Sequence, residues 1–245
     1  MNNSDVYDQS SYDVRCEWGL RGVETLAEKS DVIIIVDTLA FSTCVDVAVS
    51  HGAIIFPYRL KDGSAATYAQ SLGAALAVPR EAGGYSLSPA SFMHVAIGTR
   101  VVLPSPNGAT LSLATGGKPT IAGCLRNARS VARAAMKIGK HVAVMPAGEH
   151  WHDDTMRPAI EDMLGAGAII HSLQGSYSPE ALAARAIFAQ FQNSLSETLH
   201  GCVSGRELIA RGYETDVEFA AAYNSSDAIP MLKDGAYINA ANDFR

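Results

Sequence analysis

The sequence predicts an α/β protein: a layered α/β/α arrangement with a largely parallel or mixed sheet and a helical C-terminal segment. Three observations point there. Strand-like apolar runs alternate with helix-like stretches from about residue 30 to about residue 175, the pattern of a sheet covered on both faces. The run Val32-Ile33-Ile34-Ile35-Val36 has no polar alternation, as expected of a strand buried on both sides. After Gly175 the pattern turns mostly helical.

Taken in order, residues 1–12 are polar and acidic and predict a disordered tail. That leaves 13–245 as one α/β domain, or as two tightly packed α/β halves. The first strand ends at Asp37, and a helix follows over Ser42–Ser50. Ala53–Phe56 is a second strand, and Asp62 caps a helix running to Leu72. A short strand spans Ala75–Val78, and Gly83, Gly84 and Pro89 mark 80–91 as a loop. Arg100–Leu103 is a strand leading into the turn Ser105-Pro106-Asn107-Gly108-Ala109-Thr110 and a short helix. Thr120–Ala122, a helix over Ala128–Ile138 and the strand His141–Met145 complete the alternation. A loop, Pro146–Arg157, then feeds a helix in which Pro158 suits the first position, where its missing N–H costs nothing. The tail reads as helices Pro179–Gln192, Glu197–Cys202, Ser204–Arg211 and Asp216–Tyr223, with a closing strand at Ala236–Ile238. Its apolar positions Leu182, Ile187, Phe188 and Phe191 serve either core packing or a homodimer face.

With 245 residues, 48% of them apolar, the chain can bury a sizeable core. A net charge of −6 and the lack of any Lys/Arg-rich run argue against nucleic-acid and anionic-membrane partners. A small anionic substrate is still compatible, since local arginines decide its binding. Cys16, Cys44, Cys124 and Cys202 are scattered without a C-x-x-C pair, which fits a reducing compartment. No basic-then-apolar signal follows Met1, and no apolar window approaches the roughly 20 residues needed to span a bilayer. The expectation is a cytoplasmic protein.

The candidate chemistry lies at strand ends. Asp37 closes a buried strand, where open α/β sheets place ligands; its plainer role is to hydrogen-bond the following turn. A haloacid-dehalogenase strand would carry a second Asp two positions on, where this chain has Leu39. The Ser105–Thr110 turn offers backbone N–H groups, Ser105, Asn107 and Thr110 to an anion, or is an ordinary strand–helix turn. No Walker lysine follows it. Arg126 presents a planar fork suited to phosphate or sulfonate, or is simply a surface arginine. Cys124 reads as a buried small residue rather than a nucleophile. The segment Glu149-His150-Trp151-His152-Asp153-Asp154 fits no zinc spacing and reads as a polar rim or lid. Glu161 and Asp162 open a helix, where they either complement its dipole or supply hard oxygen ligands for Mg²⁺. Helical spacing of Ile160, Met163, Leu164, Gly167 and His171 puts Glu161 at the edge of the apolar stripe and Asp162 away from it.

The ordered set Val36-Asp37-Thr38-Leu39, Ser105-Pro106-Asn107-Gly108, Cys124-Leu125-Arg126-Asn127-Ala128 and Arg157 through Gly167 resembles the 2-phosphosulfolactate phosphatase family. Weaker likeness continues at Ser204-Gly205-Arg206-Glu207-Leu208 and Asp227-Ala228-Ile229-Pro230, so the resemblance spans about residues 30–235. It implies a Mg²⁺-dependent acid phosphatase with an α/β/α fold. By matching position, Asp37, Glu161 and Asp162 carry over as metal-binding or catalytic carboxylates, and Asn107, Arg126 and Asn127 as pocket residues. Ser105 and Gly108 join them from the turn. Two departures stand out. The family commonly has Arg where this chain has Ala40, and a Gly-Glu-Arg segment where it reads Pro79-Arg80-Glu81. Either Arg80 and Glu81 serve the substrate in swapped order, or a substrate-binding group is lost.

The function expected from residues and resemblance together is Mg²⁺-dependent hydrolysis of a phosphate monoester on a small acidic or sulfonated C3-type substrate. Asp37 and Glu161 would hold the ion, with Asp162 close by. Two rivals are a small-anion binding protein without turnover, and a different chemistry on the same scaffold supplied by the Glu149–Asp154 loop.

Overall fold

The computed structural model describes residues 6–59 and 62–244. Eleven strands and ten α-helices follow one another as β1 (Val14–Cys16), α1 (Gly19–Leu26), β2 (Val32–Val36), α2 (Phe41–Ser50), β3 (Ile54–Tyr58), α3 (Gly63–Ser71), β4 (Ala75–Leu76), β5 (Arg100–Pro104), α4 (Gly108–Ser112), β6 (Thr120–Gly123), α5 (Ala128–Ile138) and β7 (Val142–Pro146) among the described residues. A two-strand hairpin β8 (Glu149–His150) and β9 (Met156–Arg157) comes next, then α6 (Ile160–Ser172), α7 (Pro179–Phe191), α8 (Leu195–Gly201), α9 (Val203–Ala210), α10 (Glu214–Ala221), β10 (Pro230–Lys233) and β11 (Ala236–Asn239).

Nine strands form one mixed sheet in the order β1-β7-β2-β6-β10-β11-β3-β5-β4. Two parallel halves, β1-β7-β2-β6 and β3-β5-β4, are joined at the centre by the antiparallel hairpin β10–β11. Met231 opposite Ile121 fixes one seam and Tyr237 opposite Ile55 the other.

The unalternated β2 run is explained by cover on both faces. Val32, Ile34 and Val36 pack with α5 and α6, whereas Ile33 and Ile35 pack with Val23 and Leu26 of α1 and Leu111 of α4. Each such fully buried Val or Ile contributes about 1.5–3 kcal/mol relative to an exposed one. Most predicted elements recur within a residue or two, including Asp62 as the cap that accepts from the Ser64 N–H. The tail serves mainly the core: Phe188 is fully buried, Ile187 and Phe191 pack against the same cluster, and Leu182 is exposed.

Several expectations change. β1, α1 and β10 were not foreseen; each is short, and the pairing that defines β1 and β10 comes from distant chain. Residues 1–5 of the predicted tail lie outside the described residues. From Val6 the chain turns back onto β1, with Asp8 buried and the Gln9 side chain bonded twice to Cys16. The 146–157 loop contains β8–β9, and because Arg157 is still paired in that hairpin the helix starts at Ile160 rather than at Pro158. The apolar stripe assigned to this helix is also displaced. Ile160 and His171 are exposed, and both Glu161 and Asp162 are buried.

Gly165, Ala166, Gly167 and Ala168 make α6 slim enough to be enclosed by the sheet, α5 and α7. A Cβ on Gly167 would overlap the Ala184 carbonyl of α7 and lie 2.7 Å from Phe188 Cβ. Among the described residues there is no helix long and apolar enough to cross a membrane. Gly167→Ala is expected to lower the unfolding free energy by about 1–3 kcal/mol through overpacking. Gly201→Ala, where nothing lies within 4 Å, should be neutral or stabilising. Urea unfolding of the two variants checks the contrast.

Candidate active site

Two buried carboxylates organise the carboxyl edge of the sheet by accepting backbone N–H groups. Asp37, one residue past β2, accepts from Phe41 N at 3.1 Å and from Gly108 N at 2.8 Å. It thereby ties the β2–α2 turn to the start of α4. Asp162 in the first turn of α6 accepts from Thr38 N at 2.7 Å and from Gly148 N at 2.9 Å, tying the same turn to the loop after β7. Gly108 is a required glycine, since a Cβ there would collide with the Phe41 ring and come within 2.8 Å of Asp37 Oδ2.

A cleft of about 350 Å³ opens over this frame. Its floor and walls come from both sheet halves: Asp37 after β2, Ser105 and Asn107 after β5, and Glu149, Trp151 and Arg157 from the β8–β9 hairpin. Ser204 and Arg211 at the two ends of α9 close one side, and Arg80 borders it. Glu149 Oε2 accepts from Asn107 Nδ2 at 3.0 Å. Of the three arginines, Arg80 is bound to Asp216 at 3.0 Å and also donates to the Leu87 carbonyl. Arg211 pairs with Glu81 at 3.0 Å. Arg157 donates to Ser204 Oγ at 3.1 Å and stacks over Trp151. Among the described residues it has no carboxylate within ion-pair distance. It is the guanidinium whose charge is left for a ligand.

The electrostatics are those of a crowded acidic site. Burial raises the Glu149 carboxyl to about 7, helped by the charge of Asp37 and, less, of Glu161, while Asn107 and Arg157 pull the other way. Asp162 lies well above the usual carboxylate range, because it is buried and because Asp37, Glu161 and Glu149 surround it. Glu161 is buried and not part of the cleft lining, and its charge adds to burial in pushing the Cys202 thiol up to about 12. Its Oε2 is buried without a hydrogen-bond partner, as are Asn107 Oδ1 and Thr38 Oγ1. Those oxygens are acceptors short of a positive partner, and their chemistry suits a hard divalent cation. Among the described residues no three His, Cys, Asp or Glu side chains form a closed metal cage. An ion here would take one or two carboxylates and fill its remaining positions with water or ligand oxygen, the usual habit of Mg²⁺.

The predicted site residues divide into three groups. Asp37, Ser105 and Asn107 line the cleft together, and Arg80 borders it. Asp37 also performs its plainer role in the following turn. Glu161 and Asp162 are buried outside the cleft lining, and it is Asp162, expected to point away, that is bonded into the frame. Gly108 contributes no donor to a ligand, because its N–H is used by Asp37. Arg126 and Asn127 are structural instead of lining the cleft. Arg126 is bound to the fully buried Asp46 at 2.9 Å and lies over Phe219, and Asn127 bridges Cys124 N and Ala122 O within its own turn. Glu81 lies on the far side of Arg80, paired with Arg211. Burial pushes the Cys124 thiol up to about 12, in keeping with an inert cysteine. Glu149, Arg157, Ser204 and Arg211 were not singled out as site residues. Only the density of polar groups at Glu149–Asp154 hinted at the hairpin, and nothing local could place α9 over the cleft.

A family model described as 2-phosphosulpholactate phosphatase matches residues 22–235. A protein of Carboxydothermus hydrogenoformans named probable 2-phosphosulfolactate phosphatase is 30% identical over 209 residues, covering 81% of this chain and 84% of that one. Proteins of the same name from Gloeobacter violaceus and Thermotoga maritima are each 26% identical, over 82% and 84% of this chain and 87% and 90% of their own lengths.

Because Glu149 is raised from 4.5 to about 7 on folding, the folded chain binds a proton there that the unfolded chain has released. Its contribution is fully present below the unfolded value and is lost as pH rises through the folded one. Melting in the presence of a chelator should therefore show stability falling between about pH 4.5 and 7, by on the order of 1–3 kcal/mol from this group. Glu149→Gln should flatten that slope. A wild-type slope unchanged in the variant would remove Glu149 as its source.

Proposed function

The chain belongs to the 2-phosphosulfolactate phosphatase family, and from that premise we propose that its cleft hydrolyses a phosphate monoester of a small acidic or sulfonated molecule, with Mg²⁺ as cofactor. The observation that carries this reading is the meeting of an unpaired guanidinium with a group of carboxylates, Asp37 and Glu149 in the cleft wall with it and Asp162 and Glu161 buried within their electrostatic reach. Arg157 offers the planar fork that grips a phosphoryl group through two parallel bonds. The carboxylates Asp37, Glu149, Asp162 and Glu161 would repel that same group unless a cation stood between them. An anion-binding protein without turnover has no use for such a group, and family membership favours the enzyme over that rival.

Asp37 and Glu161 would hold the ion, with Asp162 and Glu149 close by. The chemistry Mg²⁺ supplies when bound is charge neutralisation and polarisation of a phosphoryl oxygen. The protein does the rest. Ser105 and Arg157 orient the phosphoryl group, and Trp151 shields the guanidinium from water on its stacked face. Glu149 holds a proton for part of the time near neutral pH. With Oε2 occupied by Asn107, Oε1 is the atom free to pass that proton to the leaving oxygen, the task a raised carboxyl performs as a general acid. A cytoplasmic site of action is part of the same proposal.

A panel of phosphorylated hydroxy acids assayed for free phosphate with and without Mg²⁺ tests the reading. Asp37→Asn and Glu161→Gln should each abolish Mg²⁺-dependent release while the far-ultraviolet circular dichroism stays native. Arg157→Lys keeps the charge and loses the fork, and should raise KM about tenfold, the equivalent of ~1.4 kcal/mol. Full activity in both carboxylate variants would overturn the assignment.

A further inference from the structure

A second cavity of about 380 Å³ adjoins the cleft and shares Arg80, Leu87 and Arg211 with it. Beyond that shared wall its lining is mostly apolar, with Leu76, Ala77, Val78 and Pro104 among the contributors. Its charged groups are already engaged. Arg80 is bound to Asp216, Arg211 to Glu81, and Asp62 to the Ser64 N–H at the start of α3. Among the described residues no charge is left there to recognise an ionic ligand, and an apolar occupant is what the walls fit.

We infer that this cavity is a subsite for an aliphatic body carried by the same phosphomonoester whose phosphoryl group lies at Arg157, so that the substrate is longer than three carbons. The inference rests on the phosphatase reading above for the placement of the phosphoryl group. The two parts of the shared wall differ in stiffness. Arg80 is a fixed post: its side chain is only 14% exposed, and it is held by Asp216 and by the Leu87 carbonyl. Arg211 and Glu81 are 47% and 60% exposed, and an ion pair of that kind is held weakly enough to part. The chain of the substrate passes on the Arg211 side. The paired charges, which offer the aliphatic chain nothing, mark the passage, and the apolar walls reward it only once it is through.

Calorimetric titration with n-alkyl phosphonates from methyl to hexyl, in Mg²⁺ buffer, reads the subsite without turnover. In the wild-type protein affinity should rise about three- to fourfold for each added methylene until the cavity is full. Val78→Phe and, separately, Ala77→Leu narrow the cavity from half-buried wall positions. Either variant should flatten the series while leaving methylphosphonate affinity within about twofold. Phosphate release from phospholactate and from phosphorylated 2-hydroxyhexanoate is measured alongside. A flat phosphonate series in the wild type overturns the subsite, and if phospholactate is still hydrolysed the phosphatase reading stands. A rising series with no phosphate released from any ester leaves the subsite and sinks the phosphatase. A series equally steep in wild type and both variants places the aliphatic chain elsewhere and overturns the proposal. Failure to bind any phosphonate overturns both readings.

Discussion

A single carboxylate holds the functional edge of this protein together. Asp162 has no cation beside it among the described side chains, and is kept in place by the N–H groups of Thr38 and Gly148. One donor follows β2 and the other follows β7, so one side chain joins the two loops just beyond the point where Val36 and Pro146 pair directly. Leaving either N–H buried without an acceptor costs about 1–3 kcal/mol. Asp37 repeats the device one residue away, between the β2–α2 turn and α4. The cleft geometry follows from these two clasps. Ser105 and Asn107 arrive with the Gly108 turn, and Glu149 and Arg157 arrive with the hairpin that Gly148 begins.

The clasps also create the electrostatic problem that the site exploits. Folding brings carboxylates together because backbone donors reward it locally, and burial, with the accumulated negative charge added, then raises Glu149 and Asp162. A site in that condition gains from any hard cation, and gains again from a guanidinium left unpaired on the rim. Stability and binding thus draw on the same side chains with opposite preferences. Functional sites commonly show this conflict.

Most of the sheet was legible because β-branched runs such as Val32–Val36 admit few other structures. Asp37 was legible for a related reason: a carboxylate closing such a run lies where sheets of this class bind ligands. The errors have physical causes. Arg126 looked like an anion grip, but its partner Asp46 is 80 residues earlier in the chain and fully buried, which no local pattern reveals. The geometry of α6 misled because helical stripe analysis assumes one covered face, and a helix built on Gly165 and Gly167 is enclosed on nearly every side. Arg157 and Ser204 meet only through the packing of α9 over the hairpin, a contact 47 residues long in sequence.

The central position of β10–β11 has a consequence for how the two walls of the cleft are aligned. Among the described residues the two parallel halves have no strand-to-strand contact in the sheet except through this hairpin, and the Tyr237 hydroxyl fastens it to Ser112 of α4 at 2.7 Å. Yet the cleft needs Asp37 and Glu149 from one half and Ser105 and Asn107 from the other. The Asp37–Gly108 and Asn107–Glu149 bonds tie the halves directly at the cleft, and β10–β11 adds the sheet register on either side of the seam. A hairpin that places none of its described side chains in the cleft thus fixes how far apart the two walls of the cleft stand.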